Sequence, residues 1–317
     1  MLCLLRERGR LMNKDFLSIQ DINRDDFEHL INLAVRIKSD IPAYHDALTG
    51  RSIVMIFDKP SLRTRVTFEV AMCQFGGKSV YIPGGDISLG VRETVADGAR
   101  NLSRWVDGIV MRTFGHEIIE EMAENATSPV INALTDLSHP CQALACLQTA
   151  YEHLDELKGS KMVFVGDGNN VAHSLMLACP LAGMDFVMSC PEGYEPDDSM
   201  VAAAKKSAEE YGTSYSHVTD PYEAVKGANI IYTDVWASMG QEDEAKKRAA
   251  IFEPYKVNTA LMQIAGPKCL ATHCLPAHRG EEISSTVLDS PQSIAFDEAE
   301  NRLHIQKAIL YELLGGT

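Results

Sequence analysis

The chain has 317 residues, 45% of them hydrophobic and 23% charged, with a formal net charge of −15. That balance belongs to a globular protein long enough for two ordinary domains with buried cores. So negative a surface excludes nucleic acid and anionic lipid as partners, and an anionic small molecule would need a local cluster of cations to hold it.

From Asp25 to Ile37 apolar residues fall at helical spacing, and the apolar run SIVMIF (52–57) predicts a buried strand. Residues 61–75 predict a helix closed by Gly76-Gly77, followed by the strand KSVYI. PGGDISLGVRE (83–93) is a glycine-rich loop without periodicity. A helix is expected from Thr94 to Val106, then strands at GIVMRT (108–113) and SPVINAL (128–134), then a long helix over 139–154. The second half repeats the scheme. KMVFVGD (161–167) leads into a helix from Val171, DFVMSC (185–190) and NIIYTDVW (229–236) are strands, and 200–212 is a helix. KCLATHCLP (268–276) is the last strand, and Glu298 to Leu314 the closing helix. This alternation predicts an α/β fold of two domains, each a parallel sheet with helices on both faces. The boundary is expected at LKGS (157–160). It separates a domain of 1–155 from one of 156–297, with 298–317 packing back on the first.

The eight cysteines, at 3, 73, 141, 146, 179, 190, 269 and 274, are scattered and mostly lie in apolar segments. They read as reduced core thiols of a cytoplasmic protein. No pair has CxxC spacing, and Cys269, His273, Cys274 and His278 straddle a strand and the turn after it, so no metal site is expected. No apolar run reaches the roughly 18 residues of a membrane span. The apolar start is too short for a signal peptide and is interrupted by RERGR; residues 1–11 are expected to be an extension ahead of Met12.

In parallel α/β folds ligands bind beyond the carboxyl ends of the strands. FDKPSLRTR leaves the first strand and opens a helix, where free N–H groups and the helix dipole favour an anion. Ser61 and Thr64 add hydroxyl donors and Arg63 a planar cation suited to phosphate. A lone serine N-cap followed by solvated arginines would be the plainer explanation of any single SxR. Here the preceding strand and the density of donors favour phosphate.

At these residues the sequence resembles the transcarbamylase family, on its ornithine-specific side. The family's phosphate loop S-T-R-T-R is matched by Ser61-Leu62-Arg63-Thr64-Arg65. MRT (111–113), HPCQ (139–142), DGNN (167–170), DVWASMG (234–240), HCLPAHRGEE (273–282) and EAENR (298–302) then follow in order across nearly the whole chain. The resemblance implies that the carbamoyl group of carbamoyl phosphate passes to the δ-amine of L-ornithine, giving L-citrulline and phosphate, with no cofactor. Ser61, Leu62, Arg63, Thr64 and Arg112 would then hold the phosphate, while Thr64, Arg112 and His139 hold the carbonyl oxygen. Gln142 and the carbonyl of Leu275 would take the carbamoyl NH2, Arg302 would complete the cation cluster, and Arg65 would brace the loop or a subunit contact. Asp234 would meet the ornithine α-ammonium, Asn170 its carboxylate, and Ser238 and Met239 its body. Cys274 would touch both substrates as a proton acceptor, not as a nucleophile. The resemblance further implies trimers or multiples of trimers, with the loop around Ser88 reaching a neighbouring subunit's site.

Two positions depart from the family pattern. Leu62 replaces a threonine, which removes a hydroxyl but keeps the backbone N–H, and Ser88 stands where relatives carry glutamine or histidine. The rival readings are a nicotinamide-dependent dehydrogenase and a non-catalytic binding protein. The first would use the GxG of VFVGDGNNVAHS with Glu192 as the ribose acid, although Val171 occupies the third glycine position. Within the family, putrescine and N-acetylornithine remain as alternative amines.

Overall fold

The computed structural model describes residues 12–87, 89–237 and 244–315. They form two compact units, residues 12–135 with 303–315, and residues 136–302.

The first unit contains α1 (Arg24–Ser39), β1 (Ser52–Phe57), α2 (Leu62–Gln74), β2 (Lys78–Pro83), the single turn α3 (Gly84–Ile87), α4 (Val95–Leu102), β3 (Gly108–Arg112), α5 (His116–Asn125) and β4 (Val130–Leu134). Its four strands are parallel in the order β2-β1-β3-β4. β1 and β3 are buried along nearly their whole length, which is why they read as unbroken apolar runs rather than alternating ones. Val54, Ile56, Ile109, Met111 and Val130 pack there against Val95, Ala99, Ile119 and Met122 from α4 and α5.

The second unit contains α6 (Pro140–His153), β5 (Lys161–Val165), α7 (Asn170–Leu181), β6 (Asp185–Ser189), α8 (Asp198–Tyr211), β7 (Tyr215–His217), the turn α9 (Pro221–Ala224), β8 (Ile230–Thr233), α10 (Ala245–Phe252), α11 (Thr259–Ala265), β9 (Leu270–His273) and the turn α12 (Ser285–Leu288). Its five parallel strands run β7-β6-β5-β8-β9. The closing helix α13 (Ala295–Leu314) begins in this unit and ends in the first, where Glu312 meets His29 at 2.6 Å.

The α/β class and both parallel sheets stand as the sequence predicts. By packing the division falls at 135/136, ahead of α6. α6 is buried through its first eleven residues, and the backbone N–H of His139 donates to Ser174 Oγ of α7 at 2.8 Å, so α6 belongs to the second sheet's packing. Asn301 on α13 bonds Thr149 and Glu152 of α6 and keeps the first half of α13 there too. The helix expected to reach Val106 stops at Leu102, and α5, α10 and α11 were not anticipated. The expectation for residues 1–11 lies outside the described residues. Among the described residues no helix is long and apolar enough to cross a membrane, and none of the seven described cysteines is in a disulfide.

In each sheet the chain leaves its first strand in both directions, which opens a crevice at the carboxyl ends of two adjacent strands. These strands are β1 and β3 in the first unit and β5 and β8 in the second.

His173 on α7 ties this second crevice to the chain around it. Its Nδ1 donates to Leu137 O at 2.8 Å and its Nε2 accepts from Asp197 N at 3.0 Å, a pattern only the neutral ring can make. Burial accordingly lowers its pKa. Stability held in this neutral ring is complete above the unfolded value of about 6.5 and is lost as pH falls through the lower folded value. The thermal midpoint is expected to fall between about pH 7 and about pH 5, less steeply in His173→Gln. An identical slope in the variant would contradict the assignment.

Candidate active site

The first unit brings together the cation and the helix start that the sequence singles out. Ser61 is the N-cap of α2, its hydroxyl accepting from the backbone N of Thr64 at 3.2 Å. This is the capping role of the plainer explanation, and it leaves the remaining first-turn N–H groups directed out of the helix. Thr64 is buried, Arg63 half-buried, and Leu62 74% exposed, so the leucine that replaces the family's threonine packs into nothing in this unit.

Arg112, the last residue of β3, sits beside Phe57 in the parallel register and is only 6% exposed. Its Nε donates to Lys59 O at 3.2 Å, and its own carbonyl accepts from Asp58 N at 2.8 Å, so the strand-end arginine and the loop before α2 hold each other. The buried Lys59 lies with its ammonium 4.4 Å from the Phe114 ring. Arg65 points elsewhere. Its guanidinium stacks 3.7 Å over Tyr81 and Nε pairs with Glu69 at 3.0 Å, fixing α2 to β2. Ser88 lies outside the described residues.

In the second unit Asp234 follows β8 and is 7% exposed. Its carboxylate is already well satisfied. Oδ2 accepts from Asn169 Nδ2 at 2.8 Å, while Oδ1 accepts from Val235 N at 2.8 Å and from the Cys274 thiol at 2.7 Å. Asn169 is also the N-cap of α7, so one side chain fixes both the helix start and the acid. Asn170, the residue the sequence pointed to, is the first residue of α7 and is half-buried beside it; its carbonyl accepts from Ser174 Oγ. Ser238 and Met239 lie outside the described residues.

The turn after β9 is unusual backbone. Leu275 has φ 56° and a cis bond to Pro276, and its N–H donates to His273 Nδ1 at 2.8 Å. That bond leaves His273 Nε2 to donate to Glu282 at 3.1 Å, both side chains being fully buried. Asp234, His273 and Cys274 offer three ligand atoms within 4.8 Å of one another, but the thiol and Nδ1 are both engaged by these hydrogen bonds. Cys269 and His278 do not join them: Cys269 is buried beside the Leu270 carbonyl and His278 is exposed beside Glu281.

His139 is the N-cap of α6, buried, with Pro140 at the first helical position. One turn on, Gln142 reaches α13. Its Nε2 donates to Glu298 Oε1 at 2.5 Å and its Oε1 accepts from Arg302 Nη1. Arg302 is 2% exposed, a buried cation and not a surface charge. Burial lowers the Arg302 pKa and raises that of Glu298, though hydrogen bonds from Thr272, Tyr232 and Gln142 pull Glu298 back down.

Sequence reasoning missed Asn169, Glu298 and the buried pair Asp167–Arg248, although DGNN and EAENR contain three of these four residues. Arg248 on α10 meets Asp167 at 2.5 Å, donates to the Trp236 carbonyl, and lies 4.7 Å from the Tyr194 ring centroid. Nothing in its own stretch, AKKRAA, distinguishes it from a solvated helix arginine. The same loop disposes of the dinucleotide alternative. A Cβ at Gly168 would fall 2.2 Å from the backbone N of Pro196, so the close approach that this glycine permits is used by the chain itself and not by a pyrophosphate. Arg248→Met, which leaves Asp167 buried without its cation, is expected to cost about 3–5 kcal/mol in urea unfolding. A loss below about 1 kcal/mol would show the pair to be a surface-like contact.

Known proteins resemble this chain along nearly its whole length. The carbamoyl-P binding domain of aspartate/ornithine carbamoyltransferases matches residues 14–152, and their Asp/Orn binding domain matches residues 158–313. These matches divide the chain after α6, whereas its packing divides it before α6. The ornithine carbamoyltransferase of Thermococcus kodakarensis is 50% identical over 308 residues, 96% of this chain and 98% of that protein. An ornithine carbamoyltransferase of Pyrococcus furiosus, named as anabolic, is likewise 50% identical over 308 residues, with the same coverage of 96% and 98%. The solved ornithine carbamoyltransferase from Pyrococcus furiosus superposes with a TM-score of 0.94 at 49% identity, covering 98% of this chain and 100% of that one. The chain belongs to the aspartate/ornithine carbamoyltransferase family.

Proposed function

We propose that the chain transfers the carbamoyl group from carbamoyl phosphate to the δ-amine of L-ornithine, releasing L-citrulline and phosphate. The observation that carries this reading is Arg112, a buried cation at a strand end, tied through Lys59 to the loop that opens α2, in a chain of net charge −15. Such an arrangement suits a phosphate dianion, with Ser61, Arg63, Thr64 and the N–H of Leu62 supplying further donors.

The roles follow the chemistry. Thr64, Arg112 and His139 hold the carbonyl oxygen as it becomes an oxyanion, and Arg302 completes the cation cluster; one such oxyanion donor is worth on the order of 3–4 kcal/mol in the transition state. Gln142 and the Leu275 carbonyl accept from the carbamoyl NH2. Leu275 stands in a turn whose N–H is held by His273 Nδ1. Asp234 takes the ornithine α-ammonium, Asn170 its carboxylate, and Ser238 and Met239 its methylenes. Asn169 holds Asp234 in place for that contact.

The neutral δ-amine attacks the carbonyl carbon, a C–N bond forms, and the C–O bond to phosphate breaks with its electron pair leaving on oxygen. An amine of pKa about 10.4 costs about 4–5 kcal/mol to deprotonate at neutral pH. Prepositioning the two reactants offsets roughly 7–11 kcal/mol. Cys274 hydrogen-bonds to Asp234 and passes a proton without forming a bond to carbon. The departing phosphate accepts the final proton.

The enzyme is further proposed to work in the cytoplasm in arginine biosynthesis, as a homotrimer or a multiple of trimers, with Ser88 directed to a neighbouring site. The anabolic name of one relative supports the direction. The test of the reaction is phosphate release from carbamoyl phosphate with ornithine, putrescine, N-acetylornithine or aspartate, each supplied alone. Release with ornithine and an equal amount of citrulline is expected. Preferential release with another amine would overturn the role given to Asp234.

A further inference from the structure

Glu298 has no part in the reaction just described, yet it is fully buried and takes three hydrogen bonds. Tyr232, on β8, donates its hydroxyl to Oε1 at 2.8 Å, and Thr272, on β9, donates to Oε2 at 2.5 Å. The third donor is the Gln142 amide, which also accepts from Arg302 at its other end. Two adjacent strands thus fix a carboxylate, and the carboxylate in turn fixes an amide on α6.

A glutamine side chain presents a donor end and an acceptor end of nearly the same shape, and its terminal torsion has two broad wells half a turn apart. Packing alone cannot choose between them. An ionised carboxylate accepts only, so Glu298 must face the NH2 end of Gln142, and the oxygen is turned to the side of Arg302. An Arg302 guanidinium, which donates only, enforces the same sense from the opposite end.

We propose that Glu298 is a positioning residue that fixes the amide sense of Gln142, so that the Gln142 oxygen, and not its NH2, meets the NH2 of carbamoyl phosphate. This rests on the carbamoyl-phosphate role given to Gln142 above and adds the source of selectivity. A ligand that carries an NH2 is read; one that carries only the phosphate is indifferent to Glu298.

The test compares two probes by calorimetry on the full-length protein: phosphonoacetamide, which carries the phosphonate and the amide NH2, and inorganic phosphate, which lacks the NH2. Glu298→Gln replaces the acceptor-only carboxylate by an amide that can also turn its NH2 toward the Gln142 NH2, so that Arg302 alone is left to hold the Gln142 sense. It is expected to weaken phosphonoacetamide by about tenfold or more while phosphate affinity changes less than about twofold. Combining Glu298→Gln with Gln142→Glu restores one donor facing one acceptor and is expected to recover most of the loss. Tyr232→Phe, which loosens the same carboxylate without removing it, is made in parallel and is expected to weaken phosphonoacetamide by about two- to tenfold. Unchanged phosphonoacetamide affinity in the folded variants, or equal weakening of both probes, would show that Glu298 serves folding alone. Wild-type protein that binds neither probe would overturn the carbamoyl-phosphate reading itself, and this inference with it.

Discussion

Buried charge must be balanced where it stands, and both sheets are built around that requirement. An ion moved from water into a protein interior loses several kcal/mol of solvation that only good partners return. The described residues show how these partners are supplied. Arg112 is held by the Lys59 carbonyl, Asp234 by three donors, Asp167 by Arg248, and Glu298 by Tyr232, Thr272 and Gln142 with Arg302 one helical turn away. Most of these partners come from the carboxyl end of a strand or the first turn of a helix. That is where parallel topology leaves backbone and side chains directed outward from the core. The charged groups are therefore oriented before any ligand arrives, and substrate binding does not have to organise them.

Rigidity of this kind suits acyl transfer to an amine. The reaction needs no redox group and no covalent intermediate, only a neutral nucleophile aligned with an activated carbonyl and donors placed where negative charge develops. Cys274 illustrates the point. Its thiol donates to the Asp234 carboxylate, and the role proposed for it is to pass a proton, not to attack carbon. The left-handed backbone at Leu275 is a second local cost borne by the fold, and it is offset by the hydrogen bond to His273, itself fixed by Glu282.

The sheets were legible in the sequence because buried parallel strands are continuous apolar runs, and SIVMIF, GIVMR and KMVFV needed no partner to be recognised. The polar residues at the ends of such runs were legible for the same reason, Arg112 after GIVM and Asp234 after NIIYT, and both are buried at strand ends. LKGS has the composition of a linker and falls where the two matched family domains meet, while α6 is held to the second unit by contacts with α7 and α13 that no local pattern records. Glu298 and Arg248 escaped notice for a similar reason. A glutamate and an arginine on helices look solvated until the residues that bury them, from strands and helices far away in the chain, are known. Asn169 and Asn170 are neighbours in one motif, and only the N-cap geometry distinguishes the one that holds Asp234.

The central claim is that the amine attacks the carbonyl carbon of carbamoyl phosphate in one transfer. The most direct measurement uses carbamoyl phosphate labelled with oxygen-18 in the bridging C–O–P position, reacted with ornithine on the enzyme and followed by mass spectrometry. The account predicts citrulline without the label and phosphate carrying all of it, since the C–O bond is the one that breaks. Label retained in released carbamate, together with phosphorylated ornithine, would mean attack at phosphorus and would contradict the account.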